Sequence, residues 1–222
     1  MQVLIDNFGL ILDGFVKTLW LLLFAGLIAL VLGTLLVALR VSPVAVMRAV
    51  GTSYINVVRN TPLLLIIYLF GALFPILGYT ASISSYIDYS FITATIALGM
   101  YAAAFVCEAL RAGINSIPVG QAEAARSLGM TFGQSMSTVI LPQAFRAAIP
   151  PLASTYIALA KNTSVALAIG VTEAAFAMKK LNNEYATGRS WIFFGFAVGY
   201  ILIVWAIAAF AHGLERQAGK AR

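Results

Sequence analysis

Four consecutive residues in an apolar setting can do chemistry that their neighbours cannot. In the stretch YIALAKNTSVALAIG, residues 156–170, Lys161, Asn162, Thr163 and Ser164 interrupt a run hydrophobic enough to lie in a membrane. A lysine at the centre of a spanning helix costs about 2.5–3.5 kcal/mol on insertion scales, so a partner, a cavity or a ligand must offset it. An ammonium beside amide and hydroxyl donors suits a carboxylate. Two readings stay open. In one, Lys161, Asn162, Thr163 and Ser164 bind a substrate; in the other, Lys161 pairs with Glu108 or with a neighbouring subunit and holds helices together.

The other candidate residues carry less. Glu108 has Arg111 three residues on, the spacing of an ion pair on one helix face. Trp191, Trp205, Tyr185 and Tyr200 read as interface and packing aromatics, and His212 as an interfacial residue. One cysteine, Cys107, excludes an internal disulfide, and one histidine leaves no His/Cys metal set. The sequence contains no GxxxxGKS/T phosphate loop, and no Ser/His/Asp set or midspan carboxylate pair supports a membrane enzyme.

The elements that must position these residues follow from composition. Hydrophobic residues make up 61% of the 222 and charged residues only 10%, which identifies a single-domain, all-α integral membrane protein. With that composition the net charge of +6 records the placement of loops rather than an affinity for nucleic acid. Runs of about 20 apolar residues predict five spans, at residues 18–39, 62–78, 91–110, 149–171 and 191–211. Counting from residue 149 at about 1.5 Å per residue, Lys161 falls roughly 18 Å into a core about 30 Å thick, near its midplane. The N-terminal MQVLIDNFGLILDGF is acidic where a signal peptide would be basic, so the first run reads as a retained span.

Orientation comes from the basic residues. One side collects Arg40, Arg48, Arg59, Arg111, Arg126, Arg146, Arg216, Lys220 and Arg222; the other has Lys17, Lys179, Lys180 and Arg189. The first side is cytoplasmic by the positive-inside rule, which puts the N-terminus outside and the C-terminus inside. On that inner side, SPVAVMRAVGTSYINVVRN links the first two spans. Ser42 is placed to cap a helix that Pro43 opens. Met47, Val50, Tyr54 and Val57 share one face of it and Arg48, Thr52, Asn56 and Arg59 the other, as in a helix lying on the membrane or packing against the spans. The outer segment 79–90 is short and polar.

The longest inner connection, residues 111–148, reads RAGINSIPVGQAEAARSLGMTFGQSMSTVILPQAFRAA. Pro118 opens a short helix, Gly129 ends it, and Thr131 with Gln134 forms a capping box for a second helix that stops at Pro142. Two such helices make a compact projection. The small residues Ala122, Ala124 and Ala125 around Glu123 let it fit closely into a groove on a partner.

EAARSLG followed by VILP resembles the EAA loop of permease subunits of bacterial ABC importers, with Glu123, Ala124, Ala125 and Gly129, then Leu141 and Pro142, at the expected interval. Val139 replaces the usual isoleucine. VVRNTPLLL, residues 57–65, resembles the RGTPLL entrance to the second span of polar amino-acid importers, with Asn60 for glycine, and ALAKNTSVA resembles their KDTSL or KNTSL stretch. The resemblance implies a type I importer fold with Glu123, Ala124, Ala125 and Gly129 coupling to an ATPase. It also implies two ATP-binding subunits, a second permease and an extracytoplasmic amino-acid-binding protein as partners, in the bacterial cytoplasmic membrane.

No cofactor is expected in this chain, since ATP and Mg would be bound by the partner ATPase. Members carrying cationic amino acids often have an acidic residue at the Asn162 position, so a neutral Asn162 beside Lys161 favours glutamate, aspartate or glutamine over arginine or histidine. The rival readings are an ABC permease for another small solute and an ion-coupled secondary transporter using Lys161 and Glu108. The chain lacks internal repeats, which weighs against the latter.

Overall fold

The structure, a computed structural model, describes residues 2–78 and 88–220, with side chains through residue 217. The outer segment 79–90 therefore lies mostly outside the described residues, as do Arg222 and the side chain of Lys220.

The apolar runs fold into helices longer than their hydrophobic cores. A short α1 (Gln2–Asp6) leads into α2 (Phe8–Val41), whose 34 residues take in the expected span 18–39 and ten residues before it. Asp13 and Lys17 do not stop the helix, because Lys17 reaches Thr172 Oγ1 at 2.6 Å. Next come α3 (Ala45–Arg59) and α4 (Leu63–Ile76), which meet at 103° across Asn60 to Pro62. Ser42 does not cap α3. Its hydroxyl accepts from Val44 N–H two residues on, a local turn that delays the helix until Ala45.

The second long helix, α5 (Tyr89–Asn115), is started by Asp88, whose side chain accepts from Phe91 N–H at 2.7 Å. It is the most enclosed of the long helices and lies between α2 and α8 (Leu141–Asn162). The remaining helices are α6 (Val119–Ser127), α7 (Phe132–Gln134), α9 (Ala174–Glu184) and α10 (Arg189–Lys220). Among the described residues four helical stretches are long and apolar enough to cross a membrane, and five if the bent α3 and α4 pair counts as one.

Small residues let these helices approach. Lipid is as apolar as leucine, so burial of hydrophobic surface does not by itself drive helix association in a bilayer, and close packing must. Ala25 and Ala29 of α2 are fully buried with Ala94, Ala97 and Leu98 of α5 in one core. A Cβ added at Gly113 would come within 2.4 Å of the Ala144 carbonyl, so α5 and α8 touch there nearly backbone to backbone. The outward faces are apolar too, with Leu23 and Val31 of α2 and Phe194 and Trp205 of α10 exposed as lipid-facing side chains would be.

The expected end of the second loop helix at Pro142 is not observed. After α7 the chain winds as a π-helix over Ser135–Ile140 and continues directly into α8, with Pro142 in its first turn. Pro142 has no N–H to give to the turn before it, but the wider π turn accommodates its ring and lets the helix run on. Helix α8 thus begins eight residues before residue 149, and Lys161 stands 20 residues along it.

Candidate substrate cavity and coupling projection

Lys161 and its neighbours sit where α8 changes type. The helix tightens to 3-10 over Thr163–Ile169 and ends at Gly170, whose φ of +88° suits glycine. Weak helix formers permit this distortion. The hydroxyls of Thr163 and Ser164 turn back on their own chain, Thr163 donating to the Ala160 carbonyl and Ser164 to the Lys161 carbonyl, each at 2.7 Å.

The structure does not bring the four residues to one place. Asn162 lines a cavity of about 390 Å³ between α5 and α8, together with Tyr101, Phe105, Ser154, Thr155 and Leu159. Lys161 and Ser164 line a second, more apolar cavity of similar size against Met178 of α9 and Phe193, Phe196 and Tyr200 of α10. Thr163 is fully buried between them. Of the four, only Asn162 reaches the first cavity, whose volume and few polar groups on apolar walls are typical of a small-molecule site. Its further polar members, Tyr101, Ser154 and Thr155, were not singled out in the sequence. Ser154 and Thr155 both lie about two turns before Asn162 in the same helix, a signal the spacing does contain.

Glu108 pairs with neither Arg111 nor Lys161. Arg40, at the end of α2, donates to its Oε1, and Arg59, at the end of α3, lies 3.8 Å from the same oxygen. Two helix ends converge on one carboxylate of α5, which outweighs a pairing along a single helix. The Arg59 guanidinium also stands 5.7 Å above the centre of the Phe105 ring, a cation–π contact.

A second carboxylate was not singled out in the sequence. Glu173 is fully buried at the start of α9, where its side chain accepts from Ala175 N–H at 2.8 Å and Phe176 N–H at 3.0 Å. Tyr200 donates its hydroxyl to it at 3.0 Å, and the Thr18 hydroxyl lies 3.4 Å away. Tyr200 is therefore more than a packing aromatic. Burial pushes the Glu173 carboxyl up to about 7, against the opposing pull of these amide and hydroxyl donors.

The projection forms as its punctuation predicts. Gly129 (φ +82°) ends α6 in a Schellman arrangement, with Met130 N–H donating to the Ala125 carbonyl at 3.2 Å and Gly129 N–H to that of Arg126 at 2.9 Å. Thr131 and Gln134 make the reciprocal capping box. Glu123 and Ala124 are exposed on α6, while Ala125 is buried against the hairpin. Val119, Leu128 and Phe132 leave between 66% and 83% of their surface exposed, an apolar rim around Glu123.

Comparison with known proteins accounts for this architecture. Residues 25–219 match the family described as binding-protein-dependent transport system inner membrane component. The chain is 45% identical over 199 residues to the glutamate transport system permease protein GluC of Corynebacterium efficiens, covering 87% of each chain. It is 39% identical over 165 residues to the probable glutamine ABC transporter permease protein GlnM of Bacillus subtilis, covering 74% of this chain and 73% of the relative. The crystal structure of an amino acid ABC transporter with histidines superposes with a TM-score of 0.85 at 28% identity, covering 96% of both chains. With matches of this extent and the fold to go with them, the chain belongs to the binding-protein-dependent inner membrane components, the non-catalytic multi-pass permeases of ABC transporters whose ATPase is a separate subunit.

Proposed function

We propose that the protein imports a polar amino acid, glutamate, aspartate or glutamine, through the cavity between α5 and α8, with Asn162 as its principal polar contact. The observation that carries this reading is the coincidence of that cavity with the break in α8. A 390 Å³ space lined by amide, hydroxyl and aromatic groups has room for a free amino acid, and the substrates named for GluC and GlnM are of that class. Thr163 and Ser164 shape the 3-10 turn, and Lys161, on the other side of the helix from Asn162, contributes positive potential that favours a carboxylate.

Transport proceeds by alternating access. An external binding protein delivers the amino acid to the outer face, where the N-terminus lies. ATP and Mg bind to the partner ATPases, whose closure moves the projection built on Glu123, Ala124, Ala125 and Gly129 and rocks the spans of a permease pair. The apolar rim of Val119, Leu128 and Phe132 would seat in a groove of the ATPase, with Glu123 fixing its register.

The test is uptake of labelled glutamate and glutamine by proteoliposomes holding the complete complex, with ATP inside and binding protein outside. Asn162→Leu is expected to lower uptake at least about tenfold while the complex still assembles and its ATPase still responds to the binding protein. Lys161→Ala is expected to lower uptake of glutamate more than that of glutamine. Glu123→Lys should abolish uptake by releasing the ATPase. Wild-type complex that carries neither amino acid, or Asn162→Leu complex with full uptake, would overturn the assignment.

A further inference from the structure

Helix α9 lies at the end of the molecule opposite the coupling projection. The chain leaves the projection at Leu141, runs the 22 residues of α8 and the 3-10 turn, and reverses at Gly170 before it enters α9. With the ATPase on the projection, as proposed above, this end is left for a second partner. The family is one of binding-protein-dependent components, so such a partner exists.

The two faces of α9 are unlike. Ala174, Ala177 and Leu181 are buried in one core with Ile192 and Phe196 of α10. The start of the helix is tied to α2, where Lys17 donates to Thr172 Oγ1 at 2.6 Å and Thr18 Oγ1 accepts from Ala174 N–H at 3.1 Å. The helix is therefore a fixed platform. On its opposite face Phe176, Lys179, Lys180 and Asn183 recur at i, i+3, i+4 and i+7 and line a space of about 300 Å³. Both lysines are exposed. Among the described residues neither has an ion-pair partner, and Glu184, one turn beyond Lys180, does not pair with it. Two ammonium groups, an amide and the side of an aromatic ring together suit the carboxylate and methylenes of an acidic side chain.

We infer that this face of α9 is the docking surface for the binding protein, which presents an acidic side chain to Lys179, Lys180 and Asn183. The inference rests on the import reading above and adds where, and by what chemistry, the two proteins meet. Exposed charges at an interface act chiefly on encounter and register, and salt screens them. Residues 163–173 alone separate Asn162 from α9, so docking here reaches the proposed substrate cavity through the 3-10 turn.

ATPase stimulation by the cognate binding protein, loaded with glutamate or glutamine, tests this on the complete complex in nanodiscs of phosphatidylcholine alone. Neutral lipid removes anionic headgroups as rival partners. Lys179→Glu with Lys180→Glu should raise the half-saturating concentration of binding protein about tenfold at low salt and leave the rate at saturation near that of wild type. The difference should shrink as salt approaches about 1 M. Lys179→Arg with Lys180→Arg, which keeps both charges, should behave as wild type. An unchanged half-saturating concentration, a defect shared by the arginine variant, or a lowered rate at saturation overturns the inference. A defect that appears only when anionic lipid is added to the nanodiscs assigns the lysines to headgroups and overturns it too. If the binding protein stimulates wild type and the charge-reversed variant alike, the import reading stands and only the docking surface falls. If it does not stimulate wild type, both fall.

Discussion

Glu108 and Glu173 are two enclosed carboxylates that the fold stabilises by opposite means. Glu108 gathers Arg40 and Arg59 from the ends of α2 and α3 onto α5, and full charges meet full charges. Glu173 gathers α2, α9 and α10, but its hydrogen-bond partners are two backbone amides and the hydroxyls of Tyr200 and Thr18. Dipoles satisfy the oxygens without matching the charge. The first group is a clamp whose loss would strand a guanidinium, whereas the second is a cap whose strength depends on protonation.

Breaking the clamp should lower stability outright. Glu108→Gln removes the carboxylate and leaves Arg40, only 11% exposed, without its ion-pair partner. The Glu108 side chain is 30% exposed, so the loss should fall below that of a fully buried pair, at about 1–3 kcal/mol, with Arg40 left partly desolvated. Denaturant or thermal unfolding of the detergent-purified complex should show a loss of that size. A loss below about 1 kcal/mol would mean that Arg40 finds water or another acceptor, and the clamp would then be no stronger than a surface pair.

The cap should respond to pH instead. Burial raises the Glu173 carboxyl from 4.5 to about 7 in the folded protein. A group that binds its proton more tightly when folded gives its full stabilisation below about pH 4.5 and loses it as pH climbs to about 7. The span of that loss is on the order of 3 kcal/mol. Glu173→Gln, which cannot ionise, should flatten the profile between these values and gain on wild type most at pH 8. Parallel profiles for the two proteins would place the pH dependence elsewhere.

How much of this was legible in the sequence differs between the same regions. The spans could be read because apolar length is a composition signal, and the projection because Gly129, Thr131 and Gln134 each satisfy local backbone groups. The clamp could not be read, since Arg40 and Arg59 lie 68 and 49 positions from Glu108 and only the tertiary fold brings them together. Lys161 to Ser164 erred differently. Successive residues on a helix are turned by roughly 100°, so four in a row cannot face one cavity. The geometry needed to separate Asn162 from Lys161 was present in the spacing, and the cluster of polar types obscured it. Pro142 failed as a stop because a π turn supplied the room that its ring requires.

The smallest change should sharpen the comparison most. Tyr200→Phe keeps the ring among its neighbours and removes one donor from Glu173, a loss of about 1 kcal/mol. That donor favours the ionised carboxylate, so without it the folded carboxyl holds its proton more tightly still. The fall of stability should then continue above pH 7. Wild type and variant should differ little at pH 5, where Glu173 is protonated in both, and most at pH 8, where only wild type has the bond to its charged form. Melting temperatures of the purified complex at these two values decide the matter. An equal deficit at both would make Tyr200 a packing residue, and the ionisation of Glu173 would then be governed by burial and the Ala175 and Phe176 amides without it.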